Sequence, residues 1–238
     1  MLARIVDSVA PHAGDLLVEI GPGEGALTRL LLERVDRLEA IEIDRDLAAR
    51  LQAEFPPGRL TLHCADALQF DFAALAAGLR VVGNLPYNVS TPLLFHLAGF
   101  AGRVRDMHFM LQREVVERMV APHSTPEYGR LSVALQTRFR MKKLFRVPAG
   151  AFRPPPKVES AVVHLVPLAP EERPQVDWQI FGRIVASAFS ARRKKLSNAL
   201  PLDAADFAAL GIDPGLRPEN LSPQDYVRIA RRVSCASR

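Results

Sequence analysis

Short apolar runs alternate with longer amphipathic segments along the first half of the chain. Five runs have the length and apolar content of buried strands, at residues 16–20, 37–44, 59–64, 80–83 and 104–111. Segments 2–9, 26–34 and 46–54 carry apolar residues at helical spacing, and Pro92 fits the first turn of a helix that begins after residues 88–91. Strands that alternate with helices predict an α/β fold with a largely parallel sheet.

The pattern changes after residue 111. Residues 112–120 and 129–136 read as helices, and the Pro-containing loop 121–127 between them is predicted to be mobile. Residues 138–145 and 158–166 alternate as strands, which predicts a terminal hairpin typical of methyltransferase-like sheets. Arg138, Arg140 and Lys142 share one face of the first of these strands, so it is either a half-exposed strand or an edge that faces phosphate.

A Pro- and charge-rich stretch at residues 167–174 marks a domain boundary. We therefore predict a larger first domain over residues 1–170 and a small helical domain over 171–238. A helix over 180–200 is predicted to contain four consecutive cations, Arg192, Arg193, Lys194 and Lys195. Because these cations cover most of a helical turn, we interpret them as a surface that faces phosphate groups.

Charge supports this division. Residues 1–174 contain 21 Lys and Arg against 20 Asp and Glu, whereas residues 175–238 contain 10 against 6. A basic second domain beside a nearly neutral first one favours a polyanionic partner, although a solvated basic surface would look the same.

Composition excludes several classes of protein. Hydrophobic residues make up 48% of the 238 positions, so a full core is expected. No apolar run is long enough for a membrane span, and the first residues show no signal-peptide pattern. Two distant cysteines fit a reducing cytoplasm, and six histidines without ligand spacing predict no metal site. We also expect a monomer.

A glycine-rich turn follows the first predicted strand. Gly21, Gly23 and Gly25 are spaced G-x-G-x-G, and Glu19 lies near the end of the strand before them. The G-x-G-x-x-G dinucleotide fingerprint is absent, and an acid here would repel a pyrophosphate but attract an ammonium or sulfonium group. The alternative is an ordinary strand-to-helix turn.

Acidic residues follow the first three predicted strands. Glu19, Glu42 and Asp66 all fall at carboxyl ends, the edge at which open α/β sheets bind ligands. Glu42 comes about 20 residues after the glycine turn, where an acid binds ribose hydroxyls in doubly wound folds. A carboxylate at Asp66 could accept a hydrogen bond from an adenine amino group. Together these acids predict a nucleoside-binding site.

The fourth predicted strand runs into Asn84, Leu85, Pro86 and Tyr87. The Asn84 amide oxygen can accept a hydrogen bond from an exocyclic amine, and Pro86 restricts Leu85 so that its carbonyl becomes a second acceptor. Tyr87 could stack on a base, and Phe152, before three prolines, could provide a second stacking surface. The alternatives are a simple strand-to-loop corner and a hydrophobic plug.

These stretches resemble the ribosomal RNA adenine dimethylases. The resemblance is carried by residues 19–28 (EIGPGEGALT), 41–48, 66–68, 84–93 (NLPYNVSTPL), 107–119, 128–133, 152–163 (FRPPPKVESAVV) and 189–200. They are similar to the small-subunit branch rather than to the large-subunit relatives that confer macrolide resistance. The resemblance implies a Rossmann-like class I S-adenosylmethionine methyltransferase fold with a C-terminal helical domain.

The resemblance also implies function. The family transfers methyl groups from S-adenosylmethionine to N6 of two adjacent adenosines near the 3′ end of 16S rRNA in the immature 30S subunit, and takes part in late subunit assembly. The implied cofactor-binding residues are Glu19, Gly21, Gly23, Glu42, Ile43, Asp66, Ala67 and Asn84. Tyr87 and Phe152 are implied to sandwich the flipped target base, beside Asn84, Leu85 and Pro86.

One departure from the family leaves alternatives open. The family begins with a Gln-Asn-Phe-Leu segment that closes over the cofactor, and we expect that this sequence starts after it. A non-catalytic assembly factor is therefore retained as an alternative. A 23S rRNA adenine methylase is the alternative within the family. A NAD-dependent oxidoreductase is a further one, against which the glycine spacing argues.

Overall fold

A computed structural model of the protein describes residues 1–86, 88–151 and 158–236. The strands in these ranges are β1 (Leu17–Ile20), β2 (Leu38–Glu42), β3 (Leu60–Cys64), β4 (Leu79–Asn84), β5 (Val104–Gln112), β6 (Phe139–Val147) and β7 (Ser160–Pro167). The α-helices are α1 (Leu2–Val9), α2 (Ala26–Leu32), α3 (Arg45–Glu54), α4 (Ser90–Ala98), α5 (Arg113–Val120), α6 (Arg130–Gln136), α7 (Trp178–Ser190), α8 (Leu196–Ala199), α9 (Ala204–Leu210) and α10 (Pro223–Ala236). Single 3₁₀ turns occur at Phe72–Ala74, Ala149–Ala151, Pro170–Glu172 and Pro218–Asn220.

The strands form a sheet in the order β3-β2-β1-β4-β5-β7-β6. The pairs from β3 to β5 are parallel, and β7 pairs antiparallel with β5. The predicted α/β fold with a parallel sheet is confirmed. Because the order reverses between β1 and β4, the carboxyl ends of these strands form the edge where a ligand is expected.

The central strands of the sheet are nearly continuous apolar runs because they are buried on both faces. All four residues of β1 are buried, as are the first five of β4, because helices cover both faces of a parallel sheet. Leu17, Leu38 and Val82 pack with Leu31 of α2 and Val162 of β7 in one apolar cluster. This cluster holds the strand ends, and the turns that follow them, in fixed positions.

The chain divides into two compact units. The first contains residues 1–116 and 140–167, and the second contains 117–139 and residues from 168 onward. The predicted boundary at 170 is close to 167, and residues 117–139, which we assigned to the first domain, fall in the second unit. Tyr128 and Val133 from that segment pack in one cluster with Phe181, Val185 and Tyr226. Local sequence pattern does not reveal such a long-range contact.

The predicted helix over 180–200 is wrong in its middle. α7 ends at Ser190, residues 191–194 form a turn, and α8 begins at Leu196. Four adjacent cations in a continuous helix would have placed at least one of them on the apolar face. The break instead lets Leu196 be fully buried while Arg193, Lys194 and Lys195 are exposed.

Hydrogen bonds anchor the loop that we predicted to be mobile. The Ser124 amide donates to the Glu219 carbonyl at 2.7 Å, and Arg192 Nη2 donates to the Pro126 carbonyl at 2.6 Å. Thr125 Oγ1 donates to the Pro122 carbonyl at 2.7 Å. The loop is therefore tied to other segments of the second unit.

Among the described residues, no helix has both the length and the apolar character needed to span a bilayer.

Candidate active site

The turn after β1 exposes bare backbone at the ligand edge. Gly21, Gly23 and Gly25 all have positive φ angles, of 67°, 57° and 79°. A Cβ on Gly23 would meet no atom within 4 Å, so the space beside this residue is open to a ligand. A Cβ on Gly25 would collide with Leu51 Cδ2, because α2 begins close against α3 there. The first two glycines therefore provide access, and the third allows close packing.

Glu42 connects the end of β2 to this turn. Its Oε2 accepts a hydrogen bond from the Gly23 amide and its Oε1 accepts one from the Asp44 amide, both at 3.0 Å. Each carboxylate oxygen keeps a second lone pair, which is what two vicinal hydroxyl groups require. Asp44, the other acid at this strand end, caps α3 by accepting from the Asp46 and Leu47 amides. Glu42 is therefore the acid left for a ligand.

Glu19 is buried in β1 with 2% of its surface exposed. Thr28 Oγ1 of α2 donates a 2.7 Å hydrogen bond to its Oε2. Burial raises the pKa of the Glu19 carboxyl to about 7, the Thr28 hydrogen bond opposes this rise, and the charge of Glu42 adds to it. A buried acid with this pKa can change its charge when a cation binds nearby.

The end of β3 contributes Asp66 and Ala67, both half-buried. Asp66 Oδ1 accepts from the Leu68 amide at 2.9 Å, and the Ala65 amide donates to the Glu42 carbonyl at 2.9 Å. The ends of β2 and β3 are thus joined directly. Ile43, between them in the chain, is 67% exposed and offers apolar surface beside the two acids.

The Asn84 turn lies at the same edge. Gly83 pairs with Ile20 at the end of β1, and Asn84 pairs with Met110 of β5. A Cβ on Gly83 would lie 2.7 Å from the Ile20 carbonyl oxygen, so only glycine allows this approach of β4 to β1. Asn84 is exposed, whereas Leu85 is buried and donates its amide to the Met110 carbonyl at 3.2 Å.

The structure thus brings the predicted cofactor-binding residues to one sheet edge, together with Asn84 and Leu85 of the predicted catalytic turn. Pro86 is exposed and its carbonyl accepts from the Val89 amide at 3.2 Å. Tyr87 and Phe152 lie outside the described residues, so their stacking roles stay predictions.

A cavity of about 250 Å³ at the carboxyl end of β5 was missed by sequence reasoning. It is lined by Gln112, Arg113, Glu114, Val158 and Glu159. Arg113 Nη1 and Glu159 Oε2 form an ion pair of 2.8 Å, and Val158 is 43% exposed. The two halves of this lining are far apart in the chain and meet because β5 pairs with β7, which local pattern did not reveal.

The four cations of the predicted RNA surface do not act as one group. Arg192 is half-buried, and its guanidinium contacts the Pro126 carbonyl and, at 3.6 Å, Glu219 Oε2. Arg193, Lys194 and Lys195 are exposed. The prediction that all four face phosphate stays a prediction, while Arg192 also holds parts of the second unit together.

A second cluster of titratable groups in the first unit was also missed. Asp106, His108 and His164 place their ligand atoms within 4.8 Å of one another. The two imidazole rings are stacked at 4.2 Å and inclined by 17°, so their nitrogen lone pairs lie in nearly parallel planes and do not converge. Arg80 donates to both Asp106 oxygens and adds a positive charge. This geometry disfavours a cation and fits a structural ion-pair network.

The sheet order and the glycine turn after β1 define the Rossmann-like fold of class I methyltransferases. Two solved structures have this fold: a dimethyladenosine transferase from Plasmodium falciparum (TM-score 0.83, 23% identity, covering 99% of this chain and 96% of that one) and the 23S rRNA methyltransferase ErmE (TM-score 0.71, 22% identity, covering 98% and 96%). At these identities the likeness establishes the fold alone.

The chain belongs to the ribosomal RNA adenine dimethylase family, whose model matches residues 1–234. It is 59% identical over 239 residues to the ribosomal RNA small subunit methyltransferase A of Aromatoleum aromaticum, covering 100% of this chain and 90% of that protein. It is 61% identical over 227 residues to the protein of the same name from Thiobacillus denitrificans, covering 94% and 89%. The oxidoreductase alternative is therefore wrong.

Proposed function

We propose that the protein uses S-adenosylmethionine to dimethylate N6 of two adjacent adenosines near the 3′ end of 16S rRNA, within the immature 30S subunit. Family membership and the names of its relatives support the reaction and the small-subunit RNA. The observation that carries the proposal is the position of Asn84, which is exposed at the end of β4 and level with the glycine turn and Glu42. We further propose that the protein is a cytoplasmic monomer that takes part in late subunit assembly.

The residues at the sheet edge fit S-adenosylmethionine. The open backbone at Gly21 and Gly23 would accommodate the methionine portion, and the spare lone pairs of Glu42 would accept from the ribose hydroxyls. The exposed Ile43 side chain would offer apolar surface to the adenine ring, and Asp66 and Ala67 would hold its amino group. Glu19, when ionised, attracts the positive charges of the cofactor.

The residues of this chain align the target amine and stabilise its charge. When bound, S-adenosylmethionine supplies a methyl group that an amine nitrogen can attack. The Asn84 amide oxygen accepts a hydrogen bond from the adenine amino group, and the Leu85 carbonyl is a second acceptor. Because both are preformed, they stabilise the positive charge that develops on the amine without reorganising.

The cavity at the end of β5 is proposed to receive the target base. It lies two residues beyond Met110, the partner of Asn84 in the sheet. Val158 supplies apolar surface, and the Arg113–Glu159 ion pair supplies polar groups. The exposed Arg193, Lys194 and Lys195 in the second unit are proposed to contact RNA phosphates.

The test is transfer of a labelled methyl group from S-adenosylmethionine to small-subunit particles that lack the modification. Large-subunit RNA serves as a parallel acceptor. We expect label only in the small-subunit RNA, recovered as dimethyladenosine. Label in the large-subunit RNA instead would establish the 23S alternative. Binding of particles without any label would favour the non-catalytic assembly factor and refute the proposed reaction.

A further inference from the structure

The second unit contains a cavity of about 260 Å³ that none of the predicted site residues lines. Its walls come from the end of α6, the segment after β7 and the first half of α10. Leu168, Pro174 and Val227 supply apolar surface, and arginine, glutamate and glutamine side chains supply the polar groups. The volume suits one small ring system and is below that of pockets for larger ligands.

Two arginines that line this cavity each donate a hydrogen bond from Nε to the protein backbone. Arg173 Nε donates to the Leu168 carbonyl at 2.7 Å, and Arg231 Nε donates to the Gln175 carbonyl at 3.0 Å. Within the described residues, neither guanidinium makes a hydrogen bond through its terminal Nη nitrogens. Each therefore presents oriented N–H groups, the arrangement that binds phosphate oxygens.

A third arginine of the cavity, Arg228, differs from these two. Its Nη1 donates to the Leu210 carbonyl and its Nη2 donates to Asp225. Both of its terminal nitrogens therefore already donate within the unit. Arg228 therefore contributes positive charge to the cavity, and we do not assign it a bidentate contact with a phosphate.

The acids on the cavity narrow the kind of ligand. Glu171 is exposed, and Glu172 Oε2 accepts from the Ala169 amide at 3.1 Å. Carboxylates repel a small free anion but accept hydrogen bonds from the amino and imino groups of a nucleobase. A nucleotide in a chain presents both a single phosphodiester charge and such a base, so it fits both sets of groups.

The charge of the whole unit favours the same ligand. Its sequence holds 14 Lys and Arg against 10 Asp and Glu. A positive unit attracts RNA, and unpaired nucleotides are the form whose bases can enter a cavity.

We propose that this cavity binds one unpaired RNA nucleotide, with its phosphodiester on Arg173 and Arg231 and its base against Leu168 and Val227. The proposal rests on the proposed function, since it supplies RNA as the substrate. The cavity would add a contact in the second unit, separate from the target base and from the Arg193–Lys195 surface.

The test compares an Arg173→Gln, Arg231→Gln double variant with an Arg183→Gln control. Arg183 is exposed on α7 and does not line the cavity. The probe is a fluorescent single-stranded oligoribonucleotide, titrated at several salt concentrations. We expect the double variant to bind about tenfold more weakly and to lower the salt slope of log K by about 0.7 for each phosphate that is no longer neutralised. Affinity and slope equal to those of the control would overturn the proposal.

A second measurement keeps the result independent of any folding defect. Photo-cross-linking of the unaltered protein to the same oligonucleotide carrying 4-thiouridine should label peptides that contain Leu168 or residues 224–231. Cross-links confined to other segments would overturn the proposal. Methyl transfer to small-subunit particles is assayed in parallel, so a failure of the proposed reaction appears there and not in oligonucleotide binding. Loss of particle binding with unchanged oligonucleotide binding would assign the cavity to a protein partner and also overturn the proposal.

Discussion

The hydroxyl of Thr28 donates a 2.7 Å hydrogen bond to Oε2 of Glu19, and both side chains are almost completely buried. The first turn of α2 is thereby tied to β1 beneath the glycine turn. The bond favours the ionised carboxylate, while burial favours the neutral acid and raises its pKa to about 7. The charge at this position therefore responds to pH and to a nearby cation.

Affinity for S-adenosylmethionine should rise with pH through about 7 and depend on Glu19. Below that pH the carboxyl is neutral and attracts no cation, and above it the carboxylate does. Calorimetric titrations from about pH 6 to about pH 8 should show tighter binding at the higher pH, because a group with a pKa near 7 changes charge in this range. Glu19→Gln should bind more weakly at the high end and lose the pH dependence.

Thr28→Val provides the matched comparison for Glu19→Gln. Without the hydroxyl the pKa of Glu19 should rise further, so the increase in affinity should move to higher pH. The contribution of Glu19 to the free energy of unfolding should fall as pH rises, whereas the affinity for the cofactor should increase. A folded pKa of about 7 against an ordinary 4.5 stabilises the folded state below pH 4.5, and that stabilisation is lost as pH rises through about 7. A flat binding profile for the unaltered protein would contradict this assignment.

Arg80 should be much more important for stability than Arg105, although both contact Asp15. Arg80 is buried and donates to Asp15, to both oxygens of Asp106 and to the Val9 carbonyl. Removing one partner of a buried pair leaves an uncompensated charge, so Arg80→Met should lower the free energy of unfolding by about 3–5 kcal/mol. Arg105 is 61% exposed, and Arg105→Met should cost about 1 kcal/mol or less. Denaturant unfolding measures both, and similar losses would contradict the argument.

The strands and the ligand edge could be predicted because their signals are local. Apolar runs of strand length ended in Glu42 and Asp66, and parallel strands bring their carboxyl ends to one edge whatever the details of packing. The Arg80 network could not be predicted, because Asp15, Asp106 and Arg80 are far apart in sequence and meet only after β4 pairs with β1 and β5. The place of residues 117–139 in the second unit was missed for the same reason.

Arg192 and Lys194, two residues apart, should respond differently to substitution. Arg192 is held by the Pro126 carbonyl and Glu219. Arg192→Ala should therefore lower the free energy of unfolding by about 1–3 kcal/mol, the cost of losing a charged hydrogen bond, and lower the thermal midpoint with it. Lys194→Glu should leave stability unchanged and weaken binding to small-subunit particles. The check is thermal unfolding together with particle binding; a stability loss only in Lys194→Glu would reverse the assignment.

This contrast also shows why the helix over 180–200 was predicted wrongly. Apolar spacing on both sides of the cations favoured one continuous helix. The turn at 191–194 depends on tertiary partners of Arg192 in the loop 121–127 and near Pro218–Asn220. Helical propensity is a weak prior that such contacts override.

Gly83→Ala should impair methyl transfer although residue 83 carries no functional group. Its Cβ would lie 2.7 Å from the Ile20 carbonyl oxygen, a backbone atom that cannot rotate away. β4 would have to shift, at a cost of about 1–3 kcal/mol, and would move Asn84 away from the cofactor edge. Gly14→Ala is the control, because a Cβ there would meet no atom within 4 Å. Unaltered methyl transfer by Gly83→Ala would show that β4 tolerates the methyl group.

Asn84→Ala should separate catalysis from cofactor binding. The side chain is exposed at the end of β4, and neighbouring backbone bonds hold it there, since the Leu85 amide donates to the Met110 carbonyl. Loss of a preorganised group that stabilises developing charge typically costs about 10²-fold in rate. Affinity for S-adenosylmethionine should change far less, because Glu42 and Asp66 remain in place. Single-turnover methyl transfer and calorimetric cofactor binding measure the two effects, with Asn88→Ala, an exposed position four residues later, as the control. Equal losses of rate and cofactor affinity would assign Asn84 to cofactor binding and remove it from the transfer step.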